Sequence, residues 1–152
     1  MCITQIDFMI SKDMAQFLIG SDIPVRLSCL SSSNWPMVIS LWYVYKSEKL
    51  YCATQNTSKI IGYLKHSPKC GFEIAADIFP YRGIRGYGNA SILHDRGEEI
   101  LRMLLEKYFK GKETSALYRL LLSEKHLRDE VAIEIMPVRT FEWDYKKRMG
   151  DR

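Results

Sequence analysis

The chain has 152 residues, 47% of them hydrophobic and 26% charged, and its 22 basic and 18 acidic side chains leave a net charge of +4. These values fit a single globular domain over residues 1–152 and argue against a disordered chain. The charge is too small to demand a nucleic-acid partner, and no apolar run reaches the ~18 residues of a membrane span, so neither nucleic acid nor membrane is expected as a partner.

The N-terminus MCITQIDFMISKDM lacks a basic stretch followed by an apolar core, so no secretion signal is expected. The first predicted element is a short helix, Lys12 to Ile19, closed by Gly20. Strands follow at Pro24 to Ser31, Pro36 to Lys46 and Lys49 to Thr54, joined by short polar turns that suit an antiparallel meander. Both alternating sets of Pro36 to Lys46 are apolar, so both faces of that strand should be covered. A helix begins near Asn56–Thr57, carries the stripe Ile60, Ile61, Leu64, and ends at Pro68.

Strands resume at Cys70 to Ile78 and at Tyr81 to Leu93. The second lines one face with Ile84, Gly86, Gly88, Ala90 and Ile92, so something approaches closely there, either another backbone or a ligand. Helices are expected over Arg96 to Phe109 and Thr114 to Leu127. Two closing strands flank Pro137, the first around Val131 to Ile135 and the second from Arg139 to Tyr145. Six or seven strands with inserted helices read as an α+β barrel.

Cys2, Cys29, Cys52 and Cys70 contain no C-x-x-C pair, so a reducing, cytoplasmic setting is the expectation, with a Cys29–Cys52 bridge as the minor alternative. His66, His94 and His126 share no ligand spacing, so neither a metal site nor a catalytic histidine is assigned. Lys110, Lys112, Lys146, Lys147 and Arg148 read as solvated, with a frayed tail over 146–152.

The most informative stretch is Leu50-Tyr51-Cys52-Ala53-Thr54-Gln55-Asn56-Thr57-Ser58-Lys59. A strand ends in a polar turn, and a helix starts with Ser58 and Lys59 in its first turn. Free amides and the positive end of the macrodipole make such a start suitable for a phosphate, with Thr54, Ser58 and Lys59 as a cradle. The plainer alternative is an N-cap by Asn56 or Thr57 with Lys59 in solvent. Trp35 and Trp42 would pack in the core or a dimer contact, or stack on a flat ring.

Taken together, PVRLSCL, PMVISLWYVYKSEKLYCATQNTSK, PYRGIRGYGNASIL and VAIEIMPVRTFEWDY resemble, in order and spacing, the FMN-binding split β-barrels, the pyridoxamine 5′-phosphate oxidase-related proteins. The resemblance runs from about Lys12 to Tyr145. It implies a six- to seven-stranded antiparallel split β-barrel with flanking helices and a homodimer with FMN at its interface. It also implies an oxidoreductase that transfers hydride through the flavin to or from a small substrate. The strand Val38, Ile39, Ser40, Leu41, Trp42, Tyr43 would run under the flavin. Ala53 and Thr54 would meet the ribityl chain and phosphate, and Ser58 and Lys59 the phosphate. Arg82 would correspond to a polar residue often donated by the partner. The family's oxidases usually have two consecutive basic residues where this chain has Ser58 before Lys59. The ending carries Arg139, Trp143 and Arg148 without a histidine, so the reaction named in the family title is not expected. The alternatives are a reductase using the deazaflavin F420, and a non-catalytic flavin- or haem-binding protein.

Overall fold

The computed structural model describes residues 10–146; Cys2, Lys147, Arg148 and the rest of the expected frayed tail beyond Lys146 lie outside them. The chain order is α1 (Lys12–Gly20), β1 (Val25–Leu30), β2 (Pro36–Leu41), β3 (Val44–Lys46), β4 (Lys49–Gln55), α2 (Lys59–His66), β5 (Lys69–Ala75), β6 (Arg82–Leu93), α3 (Gly97–Tyr108), α4 (Ala116–Leu121), α5 (Glu124–Arg128) and β7 (Glu130–Asp144). No helix among the described residues is long and apolar enough to cross a membrane.

The seven strands form one antiparallel sheet in the order β2-β1-β5-β6-β7-β4-β3. This is the expected strand number and direction, but not a simple meander. The expected strand Pro36 to Lys46 is broken at Trp42–Tyr43, and its halves lie on opposite edges of the sheet. From Leu41 to Val44 the chain spans at most ~11 Å, so the sheet curls until its edges lie close together. The sheet is not closed here: no β2–β3 ladder forms, and only the chain itself crosses the seam. The break has a tertiary cause. Tyr43 leaves the alternation to bury its ring completely, and its hydroxyl donates to the Leu18 carbonyl at 2.8 Å.

The inner faces enclose one core, with Leu27, Leu50, Ile74, Ile84, Ile133 and Ile135 fully buried. Helices α1 and α2 add Met14, Leu18, Ile60, Ile61 and Leu64 to it. Helix α3 packs outside β4 and β7, where Ile100 and Leu104 cover Val44, Tyr51 and Ala132. Near Gly97 a Cβ would run into the Glu130 carbonyl, so the helix start rests directly on the β7 backbone.

Several expectations are corrected. The outer face of β2 is not covered within the chain: Val38 is 69% exposed. The strand expected to reach Ile78 ends at Ala75. The helix expected over Thr114 to Leu127 is two helices. Ser123 interrupts it because its hydroxyl accepts from the His126 amide and starts a new one. The two strands expected around Pro137 are one strand of 15 residues. Tyr87 pairs with Arg139 and Gly88 with Pro137, so Val138 is the extra residue of a bulge, a position where a sheet tolerates proline. Cys29, Cys52 and Cys70 are free, buried thiols, and no Cys29–Cys52 bridge forms.

Candidate functional site

Beside the seam, a cleft of about 340 Å³ opens between the ends of β2 and β4. Ser40, Leu41 and Trp42 border it on one side and Ala53, Thr54 and Gln55 on the other. Leu101 and Leu104 of α3, Leu121 of α4, His126 of α5 and Glu130 of β7 complete the wall. The volume lies within the range of small-molecule sites, and the mix of apolar walls and a few polar groups suits one. β2 pairs only with β1, so backbone groups on its other edge are left without strand partners beside the cleft.

Five of the residues expected from the sequence therefore meet here: Ser40, Leu41, Trp42, Ala53 and Thr54. Ser58 adjoins them, its hydroxyl 2.9 Å from that of Thr54. Ser58, not Asn56 or Thr57, is the N-cap of α2, yet its side chain caps nothing; it donates to the Gln55 carbonyl at 2.8 Å. No side chain therefore accepts from the first-turn amides, and no acidic residue occupies that turn. Lys59, exposed, is its only charge. A cation at the positive end of a helix is unfavourable by itself, so an anion at this turn would be stabilised by both.

The other expected residues lie elsewhere. Ile39 packs against the core, and Tyr43 is buried within it. Val38 sits on the outer sheet face, in a groove with Gly71, Gly86, Tyr87 and Phe141. Arg82 is at the far end of β6, its guanidinium 2.7 Å from Asp13 and over the Phe17 ring, while its Nε is buried without a partner. Trp42 stacks on Tyr108 with ring centres 5.1 Å apart and meets Phe109 edge-on, so its packing role is realised. Trp35 is exposed and belongs to no core.

The small-residue face of β6 opens no space inside the chain. A Cβ on Gly86 would meet the Arg139 carbonyl and lie 2.8 Å from the Phe72 ring. One on Gly88 would strike the Met136 carbonyl and lie 2.9 Å from Pro137. The close approach is made by the bulged β7 backbone and by Phe72.

Three cleft residues escaped the sequence reading. Glu130 is the buried charged residue of the described chain, with only 3% of its side chain exposed. Its Oε2 accepts from Gln55 Nε2 and lies 3.2 Å from His126 Nε2. Gln55 Nε2 also donates to the His126 carbonyl at 3.0 Å. Burial pushes the Glu130 carboxyl up from its ordinary value, against the Gln55 hydrogen bond and the His126 charge. The signal available in the sequence was the His126–Glu130 spacing of four, running from a helix into a strand. On the other side of the Trp42–Tyr43 link, Lys107 donates to the Leu18 and Tyr43 carbonyls at 3.1 and 3.2 Å and lies 3.8 Å above the Tyr43 ring. Burial pushes its amine down to about 8. Among the described residues no cluster of His, Cys, Asp and Glu is arranged to hold a metal.

No family model matches the chain, and no curated protein does. Solved structures do match. The conserved hypothetical protein Rv2991 from Mycobacterium tuberculosis superposes with a TM-score of 0.74 at 21% identity, covering 95% of this chain and 91% of that one. An F420 reductase gives 0.69 at 17% identity, over 87% and 98% of the two chains. A candidate pyridoxamine 5′-phosphate oxidase from Listeria innocua gives 0.65 at 16%, over 86% and 94%. With seven antiparallel strands, flanking helices and a sheet left open at one seam, the chain has the fold of the pyridoxamine 5′-phosphate oxidase-type split β-barrels.

Proposed function

We propose that the chain is an oxidoreductase that binds a flavin-type cofactor, FMN, at the seam cleft and acts on a small substrate as a homodimer. The observation that carries the reading is the meeting of the free edge of β2 at Ser40–Trp42 with the end of β4 at Ala53–Thr54 across the cleft, with Ser58 at the uncapped start of α2 bonded to Thr54. These groups fit the parts of such a cofactor. Edge backbone at Ser40–Trp42 would bond the polar rim of a flat ring, and Leu101, Leu104 and Trp42 would exclude water from it. Ala53 and Thr54 would follow the connecting chain. The first-turn amides of α2 with Lys59 would take the phosphate, Ser58 and Thr54 turning their hydroxyls from each other to it. Once bound, the cofactor supplies hydride transfer, and the protein's part is to position and tune it.

The dimer reading is supported by the outer sheet face, where Val38, Tyr87, Met136 and Phe141 are all exposed. An apolar face of this kind on a β-sheet is suited to a partner. It carries the groove around Gly71 and Gly86, and by the resemblance Arg82 would be donated to the partner's cofactor. The three unpaired thiols suit a reducing compartment such as the cytoplasm.

The likeness to an F420 reductase favours a second reading, F420 in the same cleft. Purified protein separates the two: bound FMN absorbs near ~450 nm and F420 near ~420 nm, and the released ligand has a distinct mass. A colourless protein that takes up neither cofactor would remove both readings. Sedimentation equilibrium should give twice the chain mass.

A further inference from the structure

Away from the seam, two of the buried thiols come together. β1 and β5 pair from Arg26–Glu73 to Ser28–Gly71, and one step further along that register sets Cys29 opposite Cys70. Both belong to the inward-facing set of their strands, Val25, Leu27 and Cys29 on β1 and Cys70, Phe72 and Ile74 on β5, all of them buried. Opposed residues on one face of an antiparallel pair hold their Cβ atoms ~4.5–5.5 Å apart. The electrostatics agrees: burial pushes the Cys70 thiol up to about 11, and the neighbouring Cys29 adds to the rise. The ladder between the two strands stops here. β1 continues to Leu30 beside β2, and β5 begins at Lys69 beside β6, but their last mutual pair is Ser28–Gly71. A cavity of about 550 Å³ opens at this point, lined by both cysteines and by Lys69, Tyr87, Asn89 and the bulge residue Val138. Lys69, Tyr87 and Asn89 are exposed, so the cavity reaches the surface.

We propose that Cys29 and Cys70 bind one soft monovalent metal ion, copper(I), as a two-coordinate bis-thiolate site at the open end of the β1–β5 ladder. The donor set selects the ion, since thiolates favour soft metals. The two cysteines are a pair and not a cluster. No group of three or more His, Cys, Asp and Glu side chains is arranged to hold a metal among the described residues, which removes the four-ligand site that zinc takes. Two thiolates opposed across an antiparallel pair suit an ion satisfied by two donors in line. Such a unit spans on the order of 4.5 Å between its sulfurs, twice a metal–thiolate bond of ~2.3 Å, which matches the cross-strand spacing.

The balance is simple. Two S–H bonds break, two metal–sulfur bonds form, two protons leave to solvent, and no electron moves. The bound unit carries one net negative charge. Lys69 borders the cavity and offsets it, and among the described residues no acidic side chain lines the cavity to oppose it. Cys52 is buried in the same core but does not line this cavity, so it stays a packing residue. The site shares no lining residue with the seam cleft, so it does not rest on the function proposed above.

The test uses the full chain, reduced and anaerobic, with Cys2→Ser throughout so that a thiol outside the described residues takes no part. It is titrated with copper(I) held by the coloured chelator bicinchoninate. One ion per chain should be withdrawn from the chelator, two protons should be released per ion, and X-ray absorption should show two sulfur neighbours. Cys29→Ala and Cys70→Ala should each weaken binding by more than the ~10–100-fold that loss of a ligand's outer partner costs. Cys52→Ala should leave it unchanged. A folded C29A or C70A chain that binds as tightly as its parent overturns the proposal. Failure of the parent to withdraw the ion also overturns it, as does a third sulfur neighbour, which would bring Cys52 into the site. Where an alanine chain fails to fold, the sulfur count and the proton release of the parent decide.

Discussion

Two parts of the molecule announce close approach in the sequence, the turn from Thr54 to Lys59 and the glycine-rich strand β6, and they end in opposite states. At the turn the α2 amides meet no capping side chain, and Thr54 and Gln55 at its start border a cleft. Along β6 the room vacated by Gly86 and Gly88 is taken by the bulged β7 backbone and Phe72. A missing side chain records that something comes near, not what it is. An unsatisfied polar terminus is more informative, because backbone donors need acceptors.

This contrast can be broken at its tight side first. Gly88→Val should cost at least ~3 kcal/mol and lower Tm by about 10 °C in thermal unfolding, since the obstruction is backbone and cannot move aside. A variant of wild-type stability would mean that the strand is not packed as described. Behind the Trp42–Tyr43 link, the committed amine of Lys107 gives the next effect. Its value falls from 10.5 to about 8 on folding, so the unfolded chain binds a proton that the folded chain has released between those limits. Stability therefore rises with pH across that window, by on the order of 2 kcal/mol from this group. Burial pushes the Cys52 and Cys70 thiols up to about 12 and about 11, and they work in the opposite direction above 9, the ordinary thiol value. The lysine contribution is accordingly read as the difference between wild type and Lys107→Met in denaturant titrations, which should fall as the pH drops from 10.5 to about 8 and level off below.

At the open side, Ser58→Ala with Lys59→Ala should leave folding intact and weaken FMN binding by at least ~1.5 kcal/mol, the scale of lost charge-assisted bonds. Equal affinity in a fluorescence titration would remove the phosphate cradle. The smallest effect is expected at Gly62, inside α2, where a Cβ would meet nothing within 4 Å. Gly62→Ala should stabilise the chain by ~0.5–1 kcal/mol, visible as a small rise in Tm. The same residue type, on a helix instead of within the sheet, thus changes sign with its surroundings.

Much of the fold was legible because it rests on local alternation. The helix at Lys12, the strand from Arg82 and the antiparallel barrel all follow from period and turn chemistry. The break at Trp42–Tyr43 was not legible, since the apolar alternation runs straight through it and the reason for leaving it, Leu18 and the interior behind it, is distant in sequence. Pro137 misled in the other direction. Proline ends a regular strand, but here a bulge absorbs it. Of the site, the β2 and β4 ends were readable through the resemblance and the turn residues. Glu130 and His126 were not, because a lone acid at the head of an apolar strand acquires meaning only when the sheet sets it beside Gln55 and α5 covers it.

The seam also bears on how the molecule would accommodate guests of different size. Elsewhere, spreading the barrel would rupture a ladder of backbone bonds. Between β2 and β3 there is no ladder to rupture, only the covalent link through Trp42 and Tyr43. Small outward movements of the β2 edge therefore leave the sheet's pairing whole, and the breadth of what the cleft admits is set separately from what keeps the barrel folded.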